Sequence, residues 1–287
     1  MNGTYISTAT VKFLADAGAL VVPLNYRLSV PSLQKVLAQL NGVYIPGDRV
    51  DNLNNTKYLD TVSQIYDWAQ TQNVKSAQHF PVVATSYGFL AVLQTLAVLS
   101  QSIVEVPLQE RYVSLQINLR LNTEDTYTYD AYSLAEAETL LDNIVFFTEL
   151  SFNIKLNMFL KEKALSKLFV PIATFNKEYT NQGDEFVAIM EGAFFPFYGF
   201  AFNIEKITHT FDFTQAALVD TSRDAMLEAQ RIGNLIVDEA RLNSNYFAKA
   251  IDEKNLLIQN FDFTIVEQDF TDDNSDETQI IELYLFD

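Results

Sequence analysis

The segment around Ser86 constrains the fold of this chain more than any other stretch. A short apolar run at 80–84 is typical of a buried strand, and an apolar helical pattern follows at about 87–98. Between them, Ala84 and Gly88 place small residues two positions on either side of Ser86, as a nucleophile elbow requires. The pattern predicts a strand, a tight turn and a helix, with Ser86 at the carboxyl edge of a sheet, where α/β folds keep their sites.

This segment resembles the elbow of the gamma-glutamyl hydrolases, which reads Phe-Pro-Val-Trp-Gly-Thr-Cys-Leu-Gly-Phe. Ser86 stands where that family has its catalytic cysteine, and the resemblance extends over essentially all 287 residues. It implies the class I glutamine amidotransferase-like, flavodoxin-like fold. We therefore expect a three-layer α-β-α protein with a mostly parallel, twisted central sheet and helices on both faces.

The chain before the elbow alternates between helical and strand patterns. Helices are predicted at 5–17, 31–40 and 57–74, and strands at 19–24 and 42–45. Alternation with short links predicts parallel pairing. The match begins only after the family's first strand, so that strand is either lost or missing from an incomplete or processed N-terminus. We favour the second interpretation, because losing a central strand would expose two edges.

The chain after the elbow is predicted as a continuation of the same domain. The region 100–165 mixes short β-rich runs, such as 112–117, with helical patterns, and further elements follow it. We expect strands at 169–174, 185–191 and 195–202, a long helix at about 214–245 and a terminal β segment at about 257–287. We expect the acidic stretch 271–277 to be a solvated loop. Without repeats or a linker, a single domain over 1–287 is predicted.

A loop and a second motif complete the candidate site. The family reads Pro-Gly-Gly where this chain has Pro-Gly47-Asp48, and the resemblance implies that Gly47, Asp48 and Tyr87 form the oxyanion loop. A carboxylate at Asp48 would oppose a developing negative charge if it points inward, but it would be harmless if it points into solvent. The segment 190–206 resembles the family's Met-Glu-Gly to Trp-His-Pro-Glu-Lys run.

In this second motif the family's catalytic histidine is replaced by Asn203, whereas Glu205 keeps the acid that would orient it. An amide cannot act as the base that a serine nucleophile needs. His79 lies at the far end of the elbow strand, and His209 would need its loop to rearrange, so we interpret it as a surface residue. Together, the changes at Ser86, Asn203 and Asp48 predict an inactive enzyme.

Composition excludes several classes of partner. The formal net charge is -18 and the pI is near 4.4, which argues against nucleic acid and anionic membrane surfaces. No run approaches the ~18 apolar residues of a membrane helix. With no cysteine and two histidines, we expect no metal and no cofactor. Sequons at Asn2 and Asn54 weakly favour a secretory route, although the chain does not open with a signal-peptide pattern.

Three functional hypotheses remain open at this point. The first is a non-catalytic component that binds protein partners in an assembly or homo-oligomer. The second is a module that binds a glutamyl or folate-like ligand without cleaving it. The third is a working hydrolase of folate poly-gamma-glutamates with Ser86 as nucleophile, for which the sequence offers no base.

Overall fold

The computed structural model describes residues 4–47, 53–97, 103–106, 113–120, 126, 146–175, 183–209, 219–272 and 275–286. Its helices are α1 Thr8–Asp16, α2 Val30–Leu37, α3 Thr56–Ser76, α4 Ser86–Leu96, α5 Leu156–Lys161, α6 Lys163–Ser166, α7 Ile204–His209, α8 Arg223–Arg241 and α9 Ala250–Leu256. Its strands are β1 Thr4–Ser7, β2 Val43–Ile45, β3 Val82–Thr85, β4 Ile103–Glu105, β5 Val113–Leu115, β6 Ile117–Leu119, β7 Phe146–Thr148, β8 Phe152–Ile154, β9 Phe169–Phe175, β10 Val187–Gly192, β11 Phe197–Phe200, β12 Phe263–Asp272 and β13 Ser275–Phe286.

The central sheet has six strands in the order β2-β3-β11-β10-β9-β6. The α/β class is as predicted, but the parallel part is confined to β2, β3 and β11, and the remaining pairs are antiparallel. The link from β10 to β11 spans only 193–196. Because a parallel crossover needs a dozen or more residues, so short a link forces an antiparallel hairpin.

Helices cover both faces of this sheet, as predicted. The side chains of β11 alternate between the faces. Phe197 packs edge-on against Tyr66 of α3, while the neighbouring Tyr198 donates a hydrogen bond to Glu239 of α8 on the other side. All four residues of β3 and of β11 are buried, as expected for strands covered on both faces.

The N-terminal region differs from the sequence prediction. Residues 4–7 form strand β1, which pairs with β13 rather than with the central sheet, so the predicted helix at 5–17 begins only at Thr8. The predicted strand at 19–24 is wrong, because these residues carry no regular secondary structure. The carbonyl of Val21 instead accepts the N–H of Ile258, and Pro23 has no N–H for a ladder.

The C-terminal region is a long hairpin. β12 and β13 pair in register from Phe263↔Tyr284 to Asp272↔Ser275. The stretch 271–277, predicted as a solvated acidic loop, instead supplies the end of β12 at 271–272 and the start of β13 at 275–277. Residues 273–274 lie outside the described residues. The long helix predicted at 214–245 is shorter, since α8 begins after the Ser222 cap. No helix in the described ranges combines the length and apolarity needed to cross a bilayer.

Glu282 links the hairpin to α1, and its substitution is a modest test of the packing. Lys12 donates to its carboxylate at 2.8 Å and Thr8 at 3.0 Å, and these bonds, that of Lys12 foremost, lower the pKa of Glu282. A lowered pKa stabilises the folded state at pH values above the unfolded-state pKa of about 4.3, and that contribution disappears as pH falls through the folded-state pKa.

Because the Lys12 and Glu282 side chains are 44% and 36% exposed, we expect Glu282→Gln to cost at most about 1 kcal/mol at pH 7. Urea unfolding at pH 7 and pH 3 should show the difference from wild type shrinking in acid; an unchanged difference would contradict this assignment.

Candidate functional site

The turn between β3 and α4 holds Ser86 in an unusual backbone conformation. Its φ is +49°, in the left-handed region that non-glycine residues rarely occupy. Ser86 is the first residue of α4 and is fully buried, and its hydroxyl oxygen has no hydrogen-bond partner among the described residues. The backbone thus has the strained geometry of a nucleophile elbow. The Ser86 hydroxyl, however, has no base beside it among the described residues.

The loop after β2 crosses the start of α4 at very short range. A Cβ on Gly47 would lie 2.2 Å from the backbone nitrogens of Tyr87 and Gly88, and one on Gly88 would lie 2.2 Å from the carbonyl oxygen of Ile45. Thr85, the N-cap of α4, makes no side-chain capping bond. Backbone N–H groups at such a helix start favour negative charge. Asp48 lies outside the described residues, so its orientation stays a prediction.

The second motif reaches the same edge of the sheet. β11 pairs with β3 in parallel and places Phe200 opposite Thr85, so the loop that follows β11 leaves the sheet beside the elbow. Asn203 lies in this loop and is fully buried, and its N–H donates to the carbonyl of Phe147 at 2.8 Å. Neither polar atom of the Asn203 side chain finds a partner within the described chain. Ser86 and Asn203 therefore both lie at the carboxyl end of this pair of strands.

Tyr44 is a member of this site that the sequence reasoning missed. Its hydroxyl lies 3.0 Å from Oε2 of Glu205 and 3.2 Å from Oγ1 of Thr85. A carboxylate only accepts hydrogen bonds, and a tyrosine hydroxyl has one proton. Tyr44 therefore donates to Glu205 and accepts from Thr85. The one available signal was its position in a predicted strand beside the elbow strand.

The segment 146–151 lies on another side of the site and was also missed. The hydroxyl of Tyr87 accepts the N–H of Ser151 at 3.0 Å and lies 3.2 Å from the carbonyl oxygen of Glu149. The Glu149 carboxylate forms an ion pair with Lys206 of α7. This segment falls in the region that had no readable pattern. It ties α4 and α7 together across the elbow.

Both histidines are engaged away from Ser86. Nε2 of His79 lies 2.9 Å from Oε2 of Glu239, at the opposite end of the elbow strand, as the sequence spacing indicated. Nε2 of His209 lies 2.9 Å from a carboxylate oxygen of Asp16 on α1. His209 is less exposed than the surface position expected for it, with 14% of its side chain accessible, although its partner Asp16 is 68% exposed.

The chemistry available at this centre is limited. No base contacts the Ser86 hydroxyl among the described residues, and hydroxyl attack needs such a base. Within the described part of the chain, no three His, Asp or Glu side chains converge as a metal-binding set. The remaining features are a helix start without a capping bond from the Thr85 side chain, and the buried Ser86 hydroxyl and Asn203 amide.

Replacing Ser86 by glycine should stabilise the protein. A left-handed non-glycine residue stores about 1–3 kcal/mol of strain, which glycine relieves while also removing a buried hydroxyl. Glycine enlarges the unfolded ensemble by about 0.4–1 kcal/mol, so we expect a net gain of about 1 kcal/mol for Ser86→Gly in urea unfolding. Ser86→Ala is the matched control, since it removes the hydroxyl and keeps the Cβ. Equal stabilities of the two variants would contradict the strain argument.

Comparisons with known proteins identify relatives of this chain. A search against family models finds no match. Gamma-glutamyl hydrolase B of Dictyostelium discoideum is 27% identical over 292 residues, covering 98% of this chain and 77% of that protein. Human gamma-glutamyl hydrolase is 28% identical over 261 residues, covering 90% and 77%. Among solved structures, a putative GMP synthase subunit from Thermoplasma acidophilum is similar at a TM-score of 0.49 and 13% identity, covering 84% of this chain and 94% of that one.

Proposed function

The chain is a relative of the gamma-glutamyl hydrolases over nearly all of its length, and from this premise we propose that it has no hydrolase activity and serves as a structural or scaffold component of a protein assembly. The observation that carries the proposal is the Ser86 hydroxyl, which is fully buried and has no base among the described residues. Asn203 stands where the resemblance places the histidine, and its amide cannot accept the proton of Ser86 at neutral pH.

Burial supports the same conclusion. Ser86, Asn203 and Glu205 have no exposed surface, so in this conformation a polyglutamate chain does not reach the hydroxyl. In serine hydrolases, removing triad members leaves residual rates of only about 10³–10⁴ over water. Here the nucleophile and the base are both replaced.

The role in an assembly is supported by the surface. Several large apolar side chains are exposed in the described part of the chain, including Tyr246 at 78%, Phe194 at 68% and Leu20 at 66%. Exposed apolar surface, where it is contiguous, often marks contacts with other proteins. The strongly acidic composition favours partners with a basic face.

Binding of a glutamyl or folate-like ligand without cleavage is the second candidate. It is favoured by the start of α4, where Thr85 makes no side-chain capping bond, and by the side chains of Ser86 and Asn203, which have no hydrogen-bond partner among the described residues. Such groups can receive a carboxylate or carbonyl oxygen, and because both side chains are fully buried here, binding would require the site to open. A rise in Tm with millimolar pteroyl-glutamate would support it through mass action on the folded state. An unchanged Tm would argue against ligand binding and leave the scaffold role as the proposed function.

The decisive experiment is release of glutamate from a pteroyl-polyglutamate at high protein concentration. We expect no release above background from wild type or from Ser86→Ala, since neither has an activated nucleophile. Ser86→Ala is the matched control because it removes only the hydroxyl oxygen. Release from wild type that disappears in Ser86→Ala would overturn the proposal and establish the hydrolase.

A further inference from the structure

The hydrogen bond between Tyr44 and Glu205 connects β2 to α7 beside Ser86 and Asn203. Glu205 lies in the first turn of α7 and is fully buried, so its position depends on the donors around it. Tyr44 lies on β2 and supplies one of these donors at 3.0 Å. Its ring also lies against Phe13 of α1, with the centroids 6.3 Å apart. The tyrosine is therefore fixed from two sides and aims its only proton at the carboxylate.

We propose that Tyr44 is a positioning residue that binds Oε2 of Glu205 and holds this carboxylate toward β2, away from position 203. This inference rests on the proposed function, since it explains why an orienting acid stays buried without a histidine. An imidazole restored at position 203 would need this carboxylate to fix its tautomer and orientation. In this structure Tyr44 of β2 binds Oε2 of this carboxylate instead.

The same contact acts on the elbow through Thr85. A threonine at an N-cap ordinarily accepts an N–H of the helix that it precedes. In this protein the Thr85 hydroxyl donates to Tyr44 at 3.2 Å and makes no capping bond to α4. Tyr44 thus joins the acid after β11 to the residue before Ser86, and Tyr44→Phe should remove both hydrogen bonds.

The test uses the absence of cysteine from this chain. The double variant Ser86→Cys/Asn203→His carries a single thiol, and its pKa is read from the ultraviolet absorbance of the thiolate, which needs no access by a reagent. A correctly oriented imidazole lowers a thiol pKa by forming a thiolate–imidazolium pair. We expect the thiol of the double variant to titrate at or above the ordinary value of about 8.5, because position 86 is fully buried. Adding Tyr44→Phe should lower the pKa enough to raise the thiolate fraction at pH 7 about tenfold.

Two controls assign the effect. Tyr246→Phe makes the same change at an exposed position and should leave the thiol pKa of the double variant unchanged. Glu205→Gln added to the triple variant should abolish the gain, which loss of packing alone would not do. Equal thiol pKa values with and without Tyr44→Phe, in variants whose circular dichroism shows the native fold, would overturn the inference. The titration does not depend on wild-type turnover, so activity in the glutamate assay would refute the proposed function and leave this test valid.

Discussion

Gly47→Ala is expected to lower the free energy of unfolding by about 4 kcal/mol or more, a loss reserved for severe core changes. The added Cβ would lie 2.2 Å from two backbone nitrogens and 2.6 Å from the Cα of Tyr87. These are backbone atoms at the start of α4, which cannot move aside as a flexible side chain can. Overpacking of ordinary side chains costs about 1–3 kcal/mol, and this contact is tighter. Urea unfolding would measure the loss of stability, and a variant that yields no folded protein would also meet the expectation.

Gly183→Ala is the matched control for this prediction. Gly183 has a φ of +67°, and a Cβ there meets no atom within 4 Å, so its substitution tests backbone strain without a clash. We expect it to cost only about 1 kcal/mol. A similar small loss for Gly47→Ala would show that the loop after β2 can withdraw from the elbow. The close approach would then not be fixed.

The elbow could be predicted from the sequence because its determinants are local. The small residues around Ser86 must follow one another in the chain, and the buried strand and apolar helix lie directly beside them. Asn203 was placed by the resemblance of the segment 190–206 to the family's motif, and in the structure it follows a strand that pairs in parallel with the elbow strand. Residues at the carboxyl ends of neighbouring parallel strands meet at one edge.

Tyr44 and Glu149 could not be predicted, because their contacts are set by tertiary packing. Whether the Tyr44 hydroxyl reaches Glu205 depends on the register of β2 against β3 and on the position of α7. Local sequence patterns give neither the strand register nor the position of the helix. Glu149 lies in a region without clear periodicity, and its partner Lys206 is distant in sequence.

The orientation of the strands shows another limit. Alternating helices and strands predict parallel pairing, and this succeeded where a helix lies between the strands, as α3 does between β2 and β3. The mostly parallel sheet that the resemblance implied does not extend to β10 and β11, which pair antiparallel because their link is short. The predicted strand at 19–24 failed because a β-branched run indicates capacity to form a strand and says nothing of a partner.

Lys206→Met should also destabilise the protein strongly, and the effect would lie beside the candidate site. Lys206 forms an ion pair with Glu149, and the two side chains are 18% and 7% exposed. Removing one member of a buried pair leaves an uncompensated charge and costs about 3–5 kcal/mol. Methionine keeps most of the length and apolar surface of the lysine stem, so the loss reports the charge rather than a cavity. Urea unfolding at pH 7 would measure it.

The double variant Lys206→Met/Glu149→Gln distinguishes charge from packing. Glutamine has the shape of glutamate without its charge, so we expect it to recover about half or more of the loss, as a coupling energy between contacting residues. Lys254→Met, at an exposed position of α9, should change stability by less than about 0.5 kcal/mol. If Lys206→Met costs no more than this control, the pair does not hold the segment 146–151 against α7. Closure of the elbow would then depend on the Tyr87 hydroxyl and the buried Phe146 and Phe147 side chains.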